Sequence, residues 1–148
     1  MDDCFLSKIP LLNLQKKEQN YFANKVKEIL ELGKEQNKLQ NKFINRINTN
    51  FKILKFGKKL KNFYLYNFVD FLIELEKVAY PIKKSSINNK KIKLTIRQQD
   101  EWEDYFLYYK DNLQKIVKDI ESKKNNINNK IYKIYGLTKS EIELIEKF

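Results

Sequence analysis

The sequence lacks the residues on which most catalytic and metal sites depend. It contains no histidine, which is the commonest general base and metal ligand, and one cysteine, Cys4, where a structural zinc site needs four ligands. Its glycines, Gly33, Gly57 and Gly136, lie far apart, so the chain has no glycine-rich loop that could bind a nucleotide. We therefore expect this chain alone to be non-catalytic and to hold neither a metal nor a cofactor.

Other scarcities indicate the fold and the compartment. One cysteine excludes an internal disulfide and fits a reducing cytoplasm. No stretch approaches the roughly 18 to 20 apolar residues of a membrane span, and the acidic start Met1-Asp-Asp is unlike a signal peptide. Three glycines and two prolines in 148 residues are typical of long helices with few turns. We expect one cytoplasmic all-α domain over residues 15–148, after an extended lead-in over 1–14, with no membrane contact.

Two long apolar stripes predict two long helices, over about 14–48 and about 97–135. In each stripe the apolar positions recur every three or four residues. The packing residues of the first helix are Phe22, Val26, Ile29, Leu32, Leu39, Phe43 and Ile47. Those of the second are Trp102, Tyr105, Tyr109, Leu113, Ile116, Ile120, Ile127, Ile131 and Ile134. Helices this long favour antiparallel, coiled-coil-like packing.

Local capping signals predict the remaining helix boundaries. Gly136 can end the second long helix in the left-handed conformation, and Thr138 with Glu141 forms a capping box for a short helix over 139–147. Asn67 can cap a helix that runs to Ala79 within the middle segment 51–97. The alternation of apolar and polar residues over 92–96 is compatible with a short strand or hairpin and equally with an extended lead.

The net charge of +11 is concentrated in the middle of the chain. Residues 51–97 contain twelve basic and three acidic side chains, whereas the flanks are nearly balanced. Such a block predicts a surface that faces a polyanion, although lysine can also be the default polar residue of a biased composition. The candidate phosphate ligands are Lys52, Lys55, Lys58, Lys59, Lys61, Lys83, Lys84, Lys90, Lys91, Lys93 and Arg97.

The same segment is rich in aromatic residues, for which two interpretations are open. These rings could stack on unpaired bases, but a core that covers the long helices is the more frequent role of such residues. They are Phe51, Phe56, Phe63, Tyr64, Tyr66, Phe68 and Phe71. Arginine, the usual reader of guanine, occurs only at Arg46 and Arg97. A lysine-rich surface therefore predicts contacts that position nucleic acid rather than read its sequence.

Three motifs resemble the C-terminal, TaqI-like specificity region of type IIG restriction–modification enzymes and adenine-specific DNA methyltransferases. The last is similar to the family's V-Y-x-L-Y-G-L-T-x-x-E-I ending and comprises Tyr132, Tyr135, Gly136, Leu137, Thr138, Glu141 and Ile142. Ile9, Pro10 and Leu11, followed by Glu18 and Gln19, resemble the I-P-L-P-P-L-x-E-Q approach to its first long helix. Residues 99–106 (QDEWEDYF) resemble the start of its second, whereas Leu12-Asn13 departs from the family's second proline.

The resemblance implies a non-catalytic part of a restriction–modification system. Its partners would be double-stranded DNA and a methyltransferase body or subunit, and S-adenosylmethionine would bind only in that associated domain. The N-P-P-Y motif of such methyltransferases is absent from this chain. Two other functions remain open from the sequence: a helical protein–protein interaction module that forms a homodimer without binding DNA, and a small RNA-binding protein.

Overall fold

The computed structural model describes residues 16–82 and 90–147, and these residues are mostly helical. The all-α prediction is thereby confirmed. The α-helices are α1 (Lys16–Asn50), α2 (Lys58–Lys61), α3 (Phe68–Val78), α4 (Ile96–Ile134) and α5 (Lys139–Glu146). A 3₁₀ helix spans Phe63–Leu65, and the strands β1 (Lys52–Ile53) and β2 (Ala79–Tyr80) form a two-stranded antiparallel sheet. The predicted lead-in over 1–14, with Lys83 and Lys84, lies outside the described residues.

The chain divides into two compact units, where the sequence led us to expect one domain. Unit 1 consists of the described residues up to Glu31 together with those from Ile120 onward, and unit 2 consists of Leu32–Asp119. Both long helices contribute residues to both units. All elements between α1 and α4 belong to unit 2.

The core of unit 2 is an aromatic cluster centred on Phe43 of α1. Phe43, Phe63, Phe71 and Phe106 are fully buried. The ring of Phe43 lies 4.0 Å from that of Phe63 and 5.6 Å from that of Phe71, centroid to centroid, and Phe71 stacks on Phe106 at 5.0 Å. The cluster thus joins α1, the 3₁₀ helix, α3 and α4 through one set of rings, whose paired geometry adds to the burial of their area.

The two long helices are antiparallel within this unit, as predicted. Phe51, just beyond the end of α1, packs on Trp102 near the start of α4, with ring centroids 5.5 Å apart. Phe43, two turns earlier in α1, packs on Tyr109, two turns later in α4, also at 5.5 Å. The partner number in α4 therefore rises as the residue number in α1 falls.

Unit 1 is built from the N-terminal part of α1, the C-terminal part of α4, and α5. Glu28 Oε2 and Lys123 Nζ lie 2.9 Å apart, and the ammonium of Lys130 lies 4.6 Å from the centre of the Tyr21 ring. The later residue of α1 thus contacts the earlier residue of α4, so the two helices are antiparallel in unit 1 as well. The hydrogen bond and the charge of Lys123 outweigh the effect of burial and lower the pKa of Glu28.

The helix stop and restart near the C-terminus have the predicted geometry. Gly136 has φ of +61°, and the N–H groups of Gly136 and Leu137 donate to the carbonyls of Lys133 and Tyr132 in a Schellman arrangement. Thr138 Oγ1 then accepts from the backbone of Glu141 at 3.2 Å, and the Glu141 carboxylate accepts from the Thr138 N–H at 2.9 Å. The capping box is confirmed.

The predicted packing stripes are mostly covered, with Val26 as the exception. Phe43, Ile47, Tyr109, Leu113 and Ile116 are buried, and the other predicted residues are partly buried, but Val26 is 48% exposed. The prediction is wrong for Val26 because it lies in unit 1, which lacks the middle elements that cover the stripe in unit 2. Phe106, which directly follows Tyr105, is fully buried but was not among the predicted packing residues of α4.

The two strands of the sheet lie in segments that carry no strand pattern in the sequence. Lys52 pairs with Tyr80, and Ile53 with Ala79. Residues 90–95 form no strand, so the strand option over 92–96 is wrong and the extended-lead option holds. The Ile92 N–H donates to the Ala79 carbonyl at 2.9 Å, the Leu94 N–H to the Glu76 carboxylate at 3.0 Å, and Thr95 and Gln98 cap α4 reciprocally. These hydrogen bonds satisfy backbone N–H groups of residues 92–98 without adding a third strand to the sheet.

We predict that Phe43→Ala lowers the free energy of unfolding by about 3–5 kcal/mol, because it opens a cavity inside the aromatic cluster. Urea denaturation followed by circular dichroism measures the change. Val26→Ala serves as the control and is expected to cost less than about 1 kcal/mol, since its side chain is already half exposed. Equal losses in the two variants would contradict the proposed core.

Two glycines provide a second, matched test. Gly136→Ala is expected to cost about 1–2 kcal/mol, because a Cβ is strained at its positive φ. Gly33→Ala is expected to stabilise the protein by up to about 1 kcal/mol, since Gly33 lies inside α1 and a Cβ there meets nothing within 4 Å. Thermal unfolding measures both effects. A change of melting temperature of the same sign in the two variants would contradict the left-handed conformation at Gly136 or the helical one at Gly33.

Candidate nucleic-acid interface

Three of the predicted phosphate ligands meet at one groove, which we call the lysine groove. Lys90, Lys91 and Lys93 line it together with the side-chain amide of Gln98. Its volume is about 460 Å³. The remaining lining residues are Phe51, Pro81, Ile92 and Leu94. The groove thus combines an apolar floor with cationic side chains.

The extended lead before α4 sets the direction of these lysines. Leu94 is buried, Ile92 is partly buried, and Lys91 and Lys93 between and beside them are exposed. The Leu94 carbonyl also accepts a hydrogen bond from Gln99 Nε2 at 3.0 Å, and its N–H is bound by Glu76. Because the apolar residues alternate with lysines along an extended backbone, anchoring the former presents the latter to solvent.

A second group of predicted ligands lies on α2. Lys58, Lys59 and Lys61 are exposed, while Leu60 is buried in the core of unit 2. Lys59 Nζ lies 3.9 Å from a carboxylate oxygen of Glu74. None of the three lines the lysine groove. The structure therefore divides the predicted basic surface into two groups.

The other predicted ligands that the structure describes are also at the surface. Lys52 lies on β1, Lys55 in the connection to α2, and Arg97 in the first turn of α4, and all three are exposed. Within residues 16–82 and 90–147, the ligands with no ion pair are Lys52, Lys55, Lys58, Lys61, Lys90, Lys91, Lys93 and Arg97. Their charge is accordingly left to solvent or to an external anion.

The aromatic residues of the middle segment belong mainly to the core. Phe63, Phe68 and Phe71 are buried, so for them the core interpretation is confirmed. Tyr64 is partly buried, its hydroxyl accepting a hydrogen bond from Gln36 Nε2 at 3.3 Å. Phe51, Phe56 and Tyr66 are also partly buried. A platform for base stacking does not form from these rings as a set.

A smaller groove, which we call the arginine groove, was not predicted as a site. It has a volume of about 200 Å³ and is lined by Arg46, Asn50, Glu101, Trp102 and Tyr105. The signal that could have found it is the four-residue step from Arg46 to Asn50 in α1, which places both on one helix face. Only the antiparallel register brings that face to the start of α4.

The pKa values of Tyr105, which lines this groove, and of the neighbouring Tyr109 are shifted in opposite directions. The hydroxyl oxygens of Tyr105 and Tyr109 lie 3.4 Å apart. Burial, together with the hydrogen bond to Tyr105, raises the pKa of Tyr109 to about 12. Burial also acts to raise the pKa of Tyr105, but hydrogen bonds from Tyr109 and Arg46 and the charges of Arg46 and Lys42 outweigh it, so that this pKa is lowered. The arginine groove is therefore locally favourable to negative charge.

Within residues 16–82 and 90–147, no three His, Cys, Asp or Glu side chains converge in a way that could bind a metal ion. No helix in these ranges is both long and apolar enough to cross a membrane.

Comparison with known proteins identifies a family to which the chain is similar. The model of a family described as "Domain of unknown function (DUF8810)" matches residues 15–131, which is most of the chain. No curated protein and no solved structure matches the chain.

The tyrosine pair gives a prediction for alkaline pH. The pKa of Tyr109 is about 12 in the folded chain and about 10 in an unfolded one. Its contribution to stability is therefore complete below pH 10 and is lost as the pH rises towards 12, because the unfolded chain releases the proton first. We expect Tyr109→Phe to remove this loss, as measured by urea denaturation at several alkaline pH values.

The control is Tyr108→Phe, which removes an exposed tyrosine hydroxyl from the same helix. The informative quantity is the difference between each variant and the unsubstituted protein. If Tyr108→Phe altered the pH dependence as much as Tyr109→Phe, the raised pKa would not be the cause of the loss.

Proposed function

The chain belongs to the Domain of unknown function (DUF8810) family, and we propose that it is a non-catalytic, DNA-contacting helical module of a restriction–modification system. In this role the lysines of residues 51–97 bind the phosphates of double-stranded DNA. The helices orient a base-reading module relative to an adenine-specific methyltransferase body. S-adenosylmethionine binds in that body and not in this chain.

The observation that carries the proposal is the exposure of lysines that no carboxylate neutralises. Lys90, Lys91 and Lys93 converge on one groove, and Lys58 and Lys61 project from α2, none of them in an ion pair within the described ranges. Lys25 and Lys123, by contrast, both pair with Glu28. An unbalanced cluster instead favours binding to a phosphate backbone.

Long helices suit a role in positioning a second module, and α1 has 35 residues and α4 has 39. The choice of methyltransferase partner rests on the sequence resemblance around Gly136 and on that of residues 99–106.

A protein–protein interaction module is the second candidate, and one surface feature favours it. Leu65, Val69 and Ile73 follow one another at four-residue steps and are 64%, 62% and 48% exposed. Val69 and Ile73 lie one turn apart on α3, whereas Leu65 belongs to the preceding 3₁₀ helix, and a second copy could cover these exposed apolar side chains. Light scattering separates the candidates: a stable dimer without DNA affinity at low salt would favour the interaction module.

We predict that changing Lys90, Lys91 and Lys93 together to Gln weakens duplex binding to a similar extent for all sequences. If about six lysines meet phosphates, log affinity falls with log salt at a slope of roughly −5, and the triple variant should flatten that slope by roughly 3. Fluorescence anisotropy of labelled duplexes at several salt concentrations measures both quantities.

The matched control changes Lys34, Lys38 and Lys115, which are exposed and lie outside residues 51–97, to Gln. It removes the same charge and should leave the slope nearly unchanged. Changing Lys58, Lys59 and Lys61 tests the α2 group in the same way. Sequence-selective loss, or an equal loss in the control, would count against positioning by these two lysine groups.

A further inference from the structure

The arginine groove has the chemistry of a site for a flat, unpaired base. Trp102 and Tyr105 are only partly buried, so the groove has an aromatic wall, and Arg46, Asn50 and Glu101 are exposed around it. Aromatic and guanidinium groups stack on bases of any kind. Phe43 and Phe51 support Trp102 from within the protein, with ring centroids 6.3 and 5.5 Å away. The wall is thus held rigidly.

The groove lies beside the lysine groove. Phe51 lines the lysine groove and packs on Trp102, which lines the arginine groove. Along α4, Gln98 belongs to the first groove and Glu101 and Trp102 to the second. Three to four residues of helix separate them by only about 5–6 Å. A nucleic-acid strand whose phosphates contact the lysines can therefore reach the aromatic wall with a neighbouring base.

The volume of the groove limits what it can hold. Sites for drug-sized ligands and cofactors measure about 300–1,000 Å³, whereas this groove measures about 200 Å³. It suits one base rather than a whole nucleotide cofactor. The carboxylate of Glu101 and the amide oxygen of Asn50 are acceptors, which favours a base with an exocyclic amino group (adenine, cytosine or guanine) over thymine.

We infer that the arginine groove binds one unpaired, amino-bearing base of a DNA whose phosphates lie on the lysine groove, an inference that rests on the proposed function. Trp102 and Tyr105 stack on the base, and Arg46 covers it or pairs with the adjacent phosphate. The lysines then supply affinity that is independent of sequence, and this groove adds a preference for unpaired bases.

The test compares a fully paired duplex with the same duplex carrying one extra, unpaired adenosine. Because stacking on an aromatic side chain strengthens binding by about 5- to 150-fold per base, the bulged duplex should bind more tightly by a factor in that range. An unpaired thymidine should give a smaller gain. The chain contains one tryptophan, Trp102. Quenching of its fluorescence by the bulged duplex, but not by the fully paired duplex, therefore reports stacking at this groove.

Two matched variants assign the effect. Arg46→Gln should remove most of the preference for the bulged duplex, whereas Lys42→Gln should keep it. Lys42 lies four residues earlier in α1, is exposed, carries the same charge and does not line the groove. Both positions are on the surface, so both variants should fold, and circular dichroism checks this.

The outcomes separate this inference from the proposed function. Equal affinity for the two duplexes, with unchanged tryptophan emission, would overturn the inference and leave phosphate binding intact. Equal loss of preference in Arg46→Gln and Lys42→Gln would also overturn it, since the effect would then be charge alone. Binding of neither duplex at low salt would overturn both proposals. Tighter binding to single-stranded RNA than to the bulged duplex would replace DNA by RNA as the partner.

Discussion

The packing of Phe43 against the rings of α3, α4 and the 3₁₀ helix is the interaction on which unit 2 depends. This residue lies at the centre of the cluster that fixes the register of α1 against α4. That register places Arg46 and Asn50, one and two turns further along α1, opposite Glu101 and Trp102. A shift by one helical turn would separate the arginine groove into unrelated surface residues.

The same cluster separates the aromatic residues of the middle segment from the lysines that lie between them in the sequence. The aromatic residues interleaved with the lysines are drawn inward by the area they bury, as Leu60 is between Lys59 and Lys61. The side chains that remain on the surface are lysines, whose flexible ammonium groups lack the planar hydrogen-bonding geometry of arginine. Such groups attract phosphate strongly but discriminate little between bases. The structure of the core therefore determines what kind of recognition the surface can provide.

Sequence patterns predicted those elements whose determinants are local. The N-cap at Asn67, the capping box at Thr138 and the left-handed stop at Gly136 each depend on residues within a few positions of one another. The β1–β2 pairing was not predictable in this way, because Lys52 and Tyr80 are 28 positions apart and each strand has only two residues. The arginine groove was missed for a similar reason, since it combines ends of two helices whose register is set by Phe43.

The proposed surface also limits what this chain can do by itself. Contacts made only to phosphates give dissociation constants of about 10⁻⁴–10⁻⁶ M at physiological salt, which is too weak to hold one site against the rest of a genome. A linked methyltransferase body would make the lysine contacts intramolecular, so that a weak surface adds substantially to the avidity of the whole. Under the proposed function, target choice would come mainly from the base-reading module, and the lysine groups would fix the angle at which that module meets the duplex.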